Sequence, residues 1–179
     1  MSRSFSTLVM VCSLSASLIA LPALSAEKKS SKKAEKKVVA TAELKNAKGE
    51  TVGTAEFSAD GKGTKIHVLA DKIPVGVHGI HIHENGKCEG PEFKSAGSHL
   101  HKEGQVHGLE HGDKHHEGDL QNLNVKEEGK TEADFTTMAV SAEETIGKSL
   151  VIHEKVDDQK SDPAGNSGAR VACGVITKK

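Results

Sequence analysis

The chain has 179 residues, with 24 Lys and Arg against 25 Asp and Glu, and a formal net charge of −1 at pH 7. That balance excludes a protein that coats nucleic acid by charge, and 4 Phe with no Trp or Tyr leave little to stack on bases. The length suits one domain, whose core must be made from Val, Ile, Leu, Ala and those few Phe.

In chain order, the first segments are not part of that domain. Arg3 provides a positive start, residues 8–21 (LVMVCSLSASLIAL) form an apolar run, and PALSA places small residues before a cleavage point near Ala26. The run is short for a membrane span. Residues 1–26 are therefore expected to be a signal peptide, and the mature protein periplasmic or secreted. Residues 27–37, EKKSSKKAEKK, hold six lysines and no large apolar side chain, which predicts a solvated tail.

From Val38 the pattern changes. VVATAEL, TVGTAEF, TKIHVLA, VGVHGIHIHE, ADFTTMAV, KSLVIHE and ARVACGVI are short β-type runs parted by Gly, Asn and Asp. They predict an all-β domain over 38–179: a Greek-key β-barrel or sandwich of about eight antiparallel strands. Residues 89–121 and 154–169 lack this pattern and are expected to be two long functional loops.

Chemistry concentrates at three places. In HGIHIHE, His81 and His83 fall on one strand face about 7 Å apart, so they either titrate against each other or share a cation. The first loop holds His99, His101, His107, His111, His115 and His116 with Asp113 and Asp119. Imidazole and carboxylate are natural donors to zinc or copper, and a bound ion would order a loop that has no apolar core. A solvated, metal-scavenging tract is the alternative. Once the leader is removed, Cys88 and Cys173 are the two thiols left. In an oxidising compartment an even pair suggests a disulfide, against the alternative of two separate buried thiols.

The segments HGIHIHE, SAGSH, HEGDL, LVIHEKVDD and GARVACGVI, in that order, resemble the copper–zinc superoxide dismutases, and the likeness runs from about Val38 to Lys179. This resemblance implies an enzyme that disproportionates superoxide to dioxygen and hydrogen peroxide by copper redox cycling, with one copper and one zinc per chain. It implies copper ligands His81, His83, His99 and His153, and zinc ligands His99, His107, His116 and Asp119, with His99 as the bridge. His78 matches a structural histidine, Arg170 the catalytic arginine at the channel floor that holds the anion next to copper, and Cys173 the partner of Cys88. Asp157 resembles a carboxylate that links His81 to His107; a surface Asp in a turn is the other reading. Lys155 and Lys160 are candidates to steer the anion. His101, His111 and His115 have no place in the pattern, and His67 is a plain strand residue.

The substrate implied is a small anion, with no nucleic-acid partner and no membrane span, and the enzyme is expected as a monomer or homodimer. The rivals are a metal carrier of the same fold and a β-sandwich whose histidines are incidental. The complete ligand order argues for the enzyme.

Overall fold

A computed structural model of the chain describes residues 37–126 and 129–179; the expected leader and, apart from Lys37, the lysine-rich tail lie outside the described residues. Alternation governs the strands. In β1 (Val38–Asn46), Ala40, Ala42 and Leu44 are buried while their neighbours are not, as a period of two requires for a sheet with one covered face. The same rhythm places Phe57 of β2 (Thr51–Asp60), and Ile66 and Val68 of β3 (Gly63–Ala70), in the core. Next come β4 (Gly76–His78), β5 (Ile80–His83), β6 (Leu123–Val125), β7 (Thr131–Thr137), β8 (Ser149–His153) and β9 (Arg170–Lys178). Short 3-10 segments at Lys94–Ala96 and Leu109–Lys114 lie within the first long loop.

Seven strands make one curled antiparallel sheet in the order β5-β8-β9-β1-β2-β3-β7, and β4 pairs with β6 separately. The last strand thus returns to the first, with Ala40 opposite Lys178 and Lys45 opposite Cys173. The all-β, barrel-like expectation agrees with this architecture, although two details differ. VGVHGIHIHE is not one strand, because it breaks at Gly79 into β4 and β5. There the N–H of Gly79 bonds to the Lys155 carbonyl and its carbonyl accepts from the His153 N–H, both at 2.8 Å. A Cβ on Gly79 would stand 2.9 Å from Cβ of Ser167 and 3.1 Å from the His81 ring, so only glycine lets the second loop come this close. The other difference is β6, whose three residues are too short to show a period.

A second, smaller apolar cluster joins Phe93, Ala96, Val151 and Cys173, with Cys88 packed against it. Cys88 and Cys173 are disulfide-bonded, which ties the start of the first loop to β9 across 85 positions of sequence. In the chain-entropy model a closure of that length stabilises by about 4.5 kcal/mol at most. No helix among the described residues is long and apolar enough to cross a membrane.

Candidate metal centre

The site begins with the strand edge at β5. Ile80 and Ile82 point into the core, so His81 and His83 must point the other way. On β8, paired with β5 through His81 opposite Val151 and His83 opposite Ser149, the same logic sends Ile152 inward. His153 follows it at the end of the strand, beyond a register shift in the β8–β9 pairing. The outer edge of β5 is not left open. Ile82 donates to the Gly118 carbonyl at 2.9 Å and accepts from the Leu100 N–H at 2.8 Å, so the first loop supplies the missing neighbour. Residue 118 has to be glycine, because a Cβ there would lie 2.1 Å from the Ile82 carbonyl oxygen.

That pairing lays His99 and Asp119 beside the strand histidines, His83 opposite His99 and His81 opposite Asp119. Two groups of side chains result, each with donor atoms within 4.8 Å of one another. They are His81, His83, His99 and His153, and His99, His107, His116 and Asp119. All seven residues are buried. His99 belongs to both groups: its ring stacks on His81 with centroids 3.9 Å apart, while its Nδ1 lies 2.9 Å from Asp119 Oδ1. Asp119 Oδ1 also meets His107 Nδ1 at 3.0 Å, and its Oδ2 accepts from the Gly108 N–H at 2.8 Å.

A third group, His81, His107 and Asp157, joins the other two from behind. Asp157 accepts from His81 Nε2 at 2.8 Å and from His107 Nε2 at 2.9 Å. Since an ionised carboxylate only accepts, both rings carry a proton on Nε2; His81 then turns a bare Nδ1 toward the first set, while His107 Nδ1 is paired with Asp119 in the second. The His81 Nδ1, with His99 Nε2 and His116 Nδ1, is buried and has no hydrogen-bond partner. His83 Nε2 and His153 Nε2 face each other at 3.4 Å. Buried polar atoms are nearly always satisfied, so three orphaned imidazole nitrogens among the converging donors fit cations: four nitrogens in one set, three nitrogens and an oxygen in the other.

The electrostatics agree with that fit. Burial, helped by the nearby His99, pushes His81 down to about 4 against the pull of Asp157. Burial, with His81 and His99 alongside, takes His153 to about 2, and burial also drives His83 well below its ordinary value. These rings are therefore neutral at pH 7 with lone pairs free to coordinate. His107 goes the other way: burial opposes its charge, but the hydrogen bonds to Asp119 and Asp157 lift it to about 9. Despite burial, both carboxyls are held far below the usual carboxylate range by their histidine partners.

Around this core, His78 is buried between the carbonyls of His153 and Pro74, at 2.8 Å from each. The Arg170 guanidinium donates to the carbonyls of Phe93 and Gly97, at 2.6 Å each, and lies close enough to His83 and His153 to depress both. Lys155 and Lys160 are exposed on the second loop. His101, His111 and His115 join none of the groups: their rings bond to the carbonyls of His99, Lys160 and His116. His67 is on the far surface with Asp134, at 2.9 Å.

Sequence reasoning missed three polar residues that brace the site. Asn122 and the Asp157 backbone exchange two hydrogen bonds, at 2.8 and 2.9 Å. Asp162 accepts from the His107 N–H at 2.6 Å. Gln159 binds Asp157 directly. As loop polar residues with no periodicity, they carry no signal in one sequence.

Comparison with known proteins agrees with this geometry. The family model for copper/zinc superoxide dismutase matches residues 51–176. The chain is 40% identical over 146 residues to "Superoxide dismutase [Cu-Zn] 2" of Aquifex aeolicus, covering 76% of this chain and 85% of that one. It is 37% identical over 158 residues to "Superoxide dismutase-like protein YojM" of Bacillus subtilis, covering 79% and 81%. Among solved structures, the Cu/Zn superoxide dismutase from Brucella abortus superimposes with a TM-score of 0.66 at 30% identity, covering 75% of this chain and 97% of that one.

Proposed function

The chain belongs to the copper/zinc superoxide dismutase family, and we propose that it is a superoxide dismutase converting superoxide to dioxygen and hydrogen peroxide. The observation that carries this reading is the pair of buried donor sets that share His99. His81, His83, His99 and His153 would hold copper, while His99, His107, His116 and Asp119 would hold zinc. An all-imidazole set suits copper and a three-nitrogen, one-oxygen set suits zinc. When bound, copper supplies the one-electron couple that the reaction needs, and zinc, which has no redox chemistry, orders the loop.

The chain's own residues do the rest. His99 Nε2 is the atom at which a proton is held for the departing peroxide, and Asp119 keeps the opposite nitrogen, Nδ1, oriented. Arg170, fixed by the Phe93 and Gly97 carbonyls, holds the substrate anion beside His83 and His153. Lys155 and Lys160 add positive potential on the second loop, and for a small anion capture sets the rate. Asp157 holds a proton on Nε2 of both His81 and His107, which orients the two rings and leaves the His81 Nδ1 free.

The leader-like N-terminus and the Cys88–Cys173 disulfide support a periplasmic or secreted enzyme, since structural disulfides persist in oxidising compartments. A relative 35% identical to the chain is named "Extracellular superoxide dismutase [Cu-Zn]" in Caenorhabditis elegans.

The test is metal content and superoxide consumption of purified protein, loaded with copper, with zinc, with both, and with neither. One copper and one zinc per chain with fast turnover are expected, and Arg170→Ala is expected to keep both metals but lose most of the rate. Full metal loading without turnover would instead make the protein a metal carrier.

A further inference from the structure

Asp157 is held at four points, and only two of them are the histidines. Its Oδ1 accepts from His107 Nε2 at 2.9 Å and from the Gln159 backbone N–H at 2.7 Å. Its Oδ2 accepts from His81 Nε2 at 2.8 Å and from the Gln159 side-chain Nε2 at 2.8 Å. Each carboxylate oxygen therefore takes one imidazole proton and one proton from Gln159. The second hydrogen of the same amide reaches the carbonyl of Leu120, next to Asp119, at 3.2 Å. Gln159 spans the two sets through one residue.

The placement of Gln159 is not what stability alone would select. Its backbone is left-handed, with φ +64°, a region that non-glycine residues avoid. Its Oε1 is buried without a partner. Turning the amide over would set that oxygen against both the Asp157 carboxylate and the Leu120 carbonyl, so the donor-inward orientation is dictated by charge. Strained backbone and an orphaned acceptor at one residue mark a position kept for what its N–H groups do.

We infer that Gln159 is a positioning residue for the metal pair, its side-chain amide fixing the Asp157 oxygen that orients His81 while its backbone N–H fixes the one that orients His107. The inference rests on the copper–zinc reading above. It has an asymmetric consequence. A side-chain substitution removes the amide from the Asp157 oxygen on the His81 side and from the Leu120 carbonyl, while the N–H that fixes the oxygen on the His107 side is main chain and survives.

The experiment titrates metal-free wild type and Gln159→Leu separately with copper(II) and zinc(II) against a competing chelator. Losing a hydrogen-bond partner of a metal ligand typically weakens the site by about 10–100-fold; Gln159 bonds that partner rather than the ligand, so copper binding in Q159L is expected to fall by several-fold, up to about tenfold. Zinc binding should stay near the wild-type value, and the electron paramagnetic resonance spectrum of the copper site should change. Gln159→Met, unbranched and of similar length, carries the same expectation if leucine is not accommodated. Unchanged copper affinity and spectrum would overturn the inference, as would equal loss of both metals. If wild type itself takes up neither metal, the functional reading fails and the inference falls with it. If wild type binds both and Q159L behaves identically, the inference fails alone.

Discussion

The donors that the strands supply and the donors that the loops supply reach the same place by different physics. His81 and His83 are set by β5, whose ladder with β8 and whose buried Ile80 and Ile82 leave their rings no other direction. His99, His107, His116 and Asp119 come from a loop whose buried apolar anchors, Phe93, Ala96 and Leu120, lie outside the donor set, and the donors are held by Asp119, by Asp157 and by pairing along the edge of β5. Sheet packing positions three of the four nitrogens in one set before any ion arrives. The other set is organised by hydrogen bonds among groups that would equally well bind water. The two halves should therefore fail in different ways.

The strongest break in that contrast is Asp119→Ala. It removes the acceptor shared by His99, His107 and the Gly108 N–H, so zinc uptake should be lost by more than the roughly 100-fold of an outer partner. Circular dichroism should still show the strands. Loss of the β signal together with zinc would mean that the loop, not the sheet, is the scaffold.

On the strand side, Ile152→Ala empties a fully buried core position and should destabilise the protein by roughly 2–5 kcal/mol in denaturant titrations. Metal stoichiometry of the folded fraction should remain one copper and one zinc. A variant that folds normally yet loses zinc would erase the distinction between sheet and loop.

The smallest effect is in pH, and it concerns metal-free protein. His81 falls from an ordinary 6.5 to about 4 on folding. Between those values the unfolded chain binds a proton that the folded one rejects, so stability drops as pH falls from 6.5 toward 4. His83, His99, His116 and His153 are lowered too and add to the same loss. His107, raised to about 9, acts in the opposite sense: the stability it contributes is full below 6.5 and fades as pH climbs through 9. Metal-free stability should thus peak near neutrality and fall more steeply on the acid side, by on the order of a few kcal/mol. A flat profile down to pH 4 in chemical denaturation would mean that the buried imidazoles are not held neutral.

Much of this was legible from residue order, and the reason is periodicity. Alternation in VVATAEL and TKIHVLA announces strands, and the H-x-H of HGIHIHE puts two imidazoles on one face wherever that strand lies. The histidine-rich stretch between two β regions marks itself by composition. Loop contacts carry no such signature. The break at Gly79, the closing of the β5 edge by Leu100 and Gly118, and the service of Asn122 and Asp162 depend on distant segments coming within 3 Å or so, and the local Gln159–Asp157 bonds matter only because His81 and His107 arrive from elsewhere.

By itself, the sequence determined which chemical groups are present, which strands form and which way their side chains face, because these follow from composition and from the two-residue repeat of a strand. The tertiary structure alone decided that two loops fold back over one sheet edge and which ring nitrogen is left bare. It also decided that one glutamine holds both oxygens of Asp157. The Gln159–Asp157 bonds span only two positions, but the histidines that this pair orients are 50 and 76 positions from Asp157, partners that exist only once the chain has closed on itself.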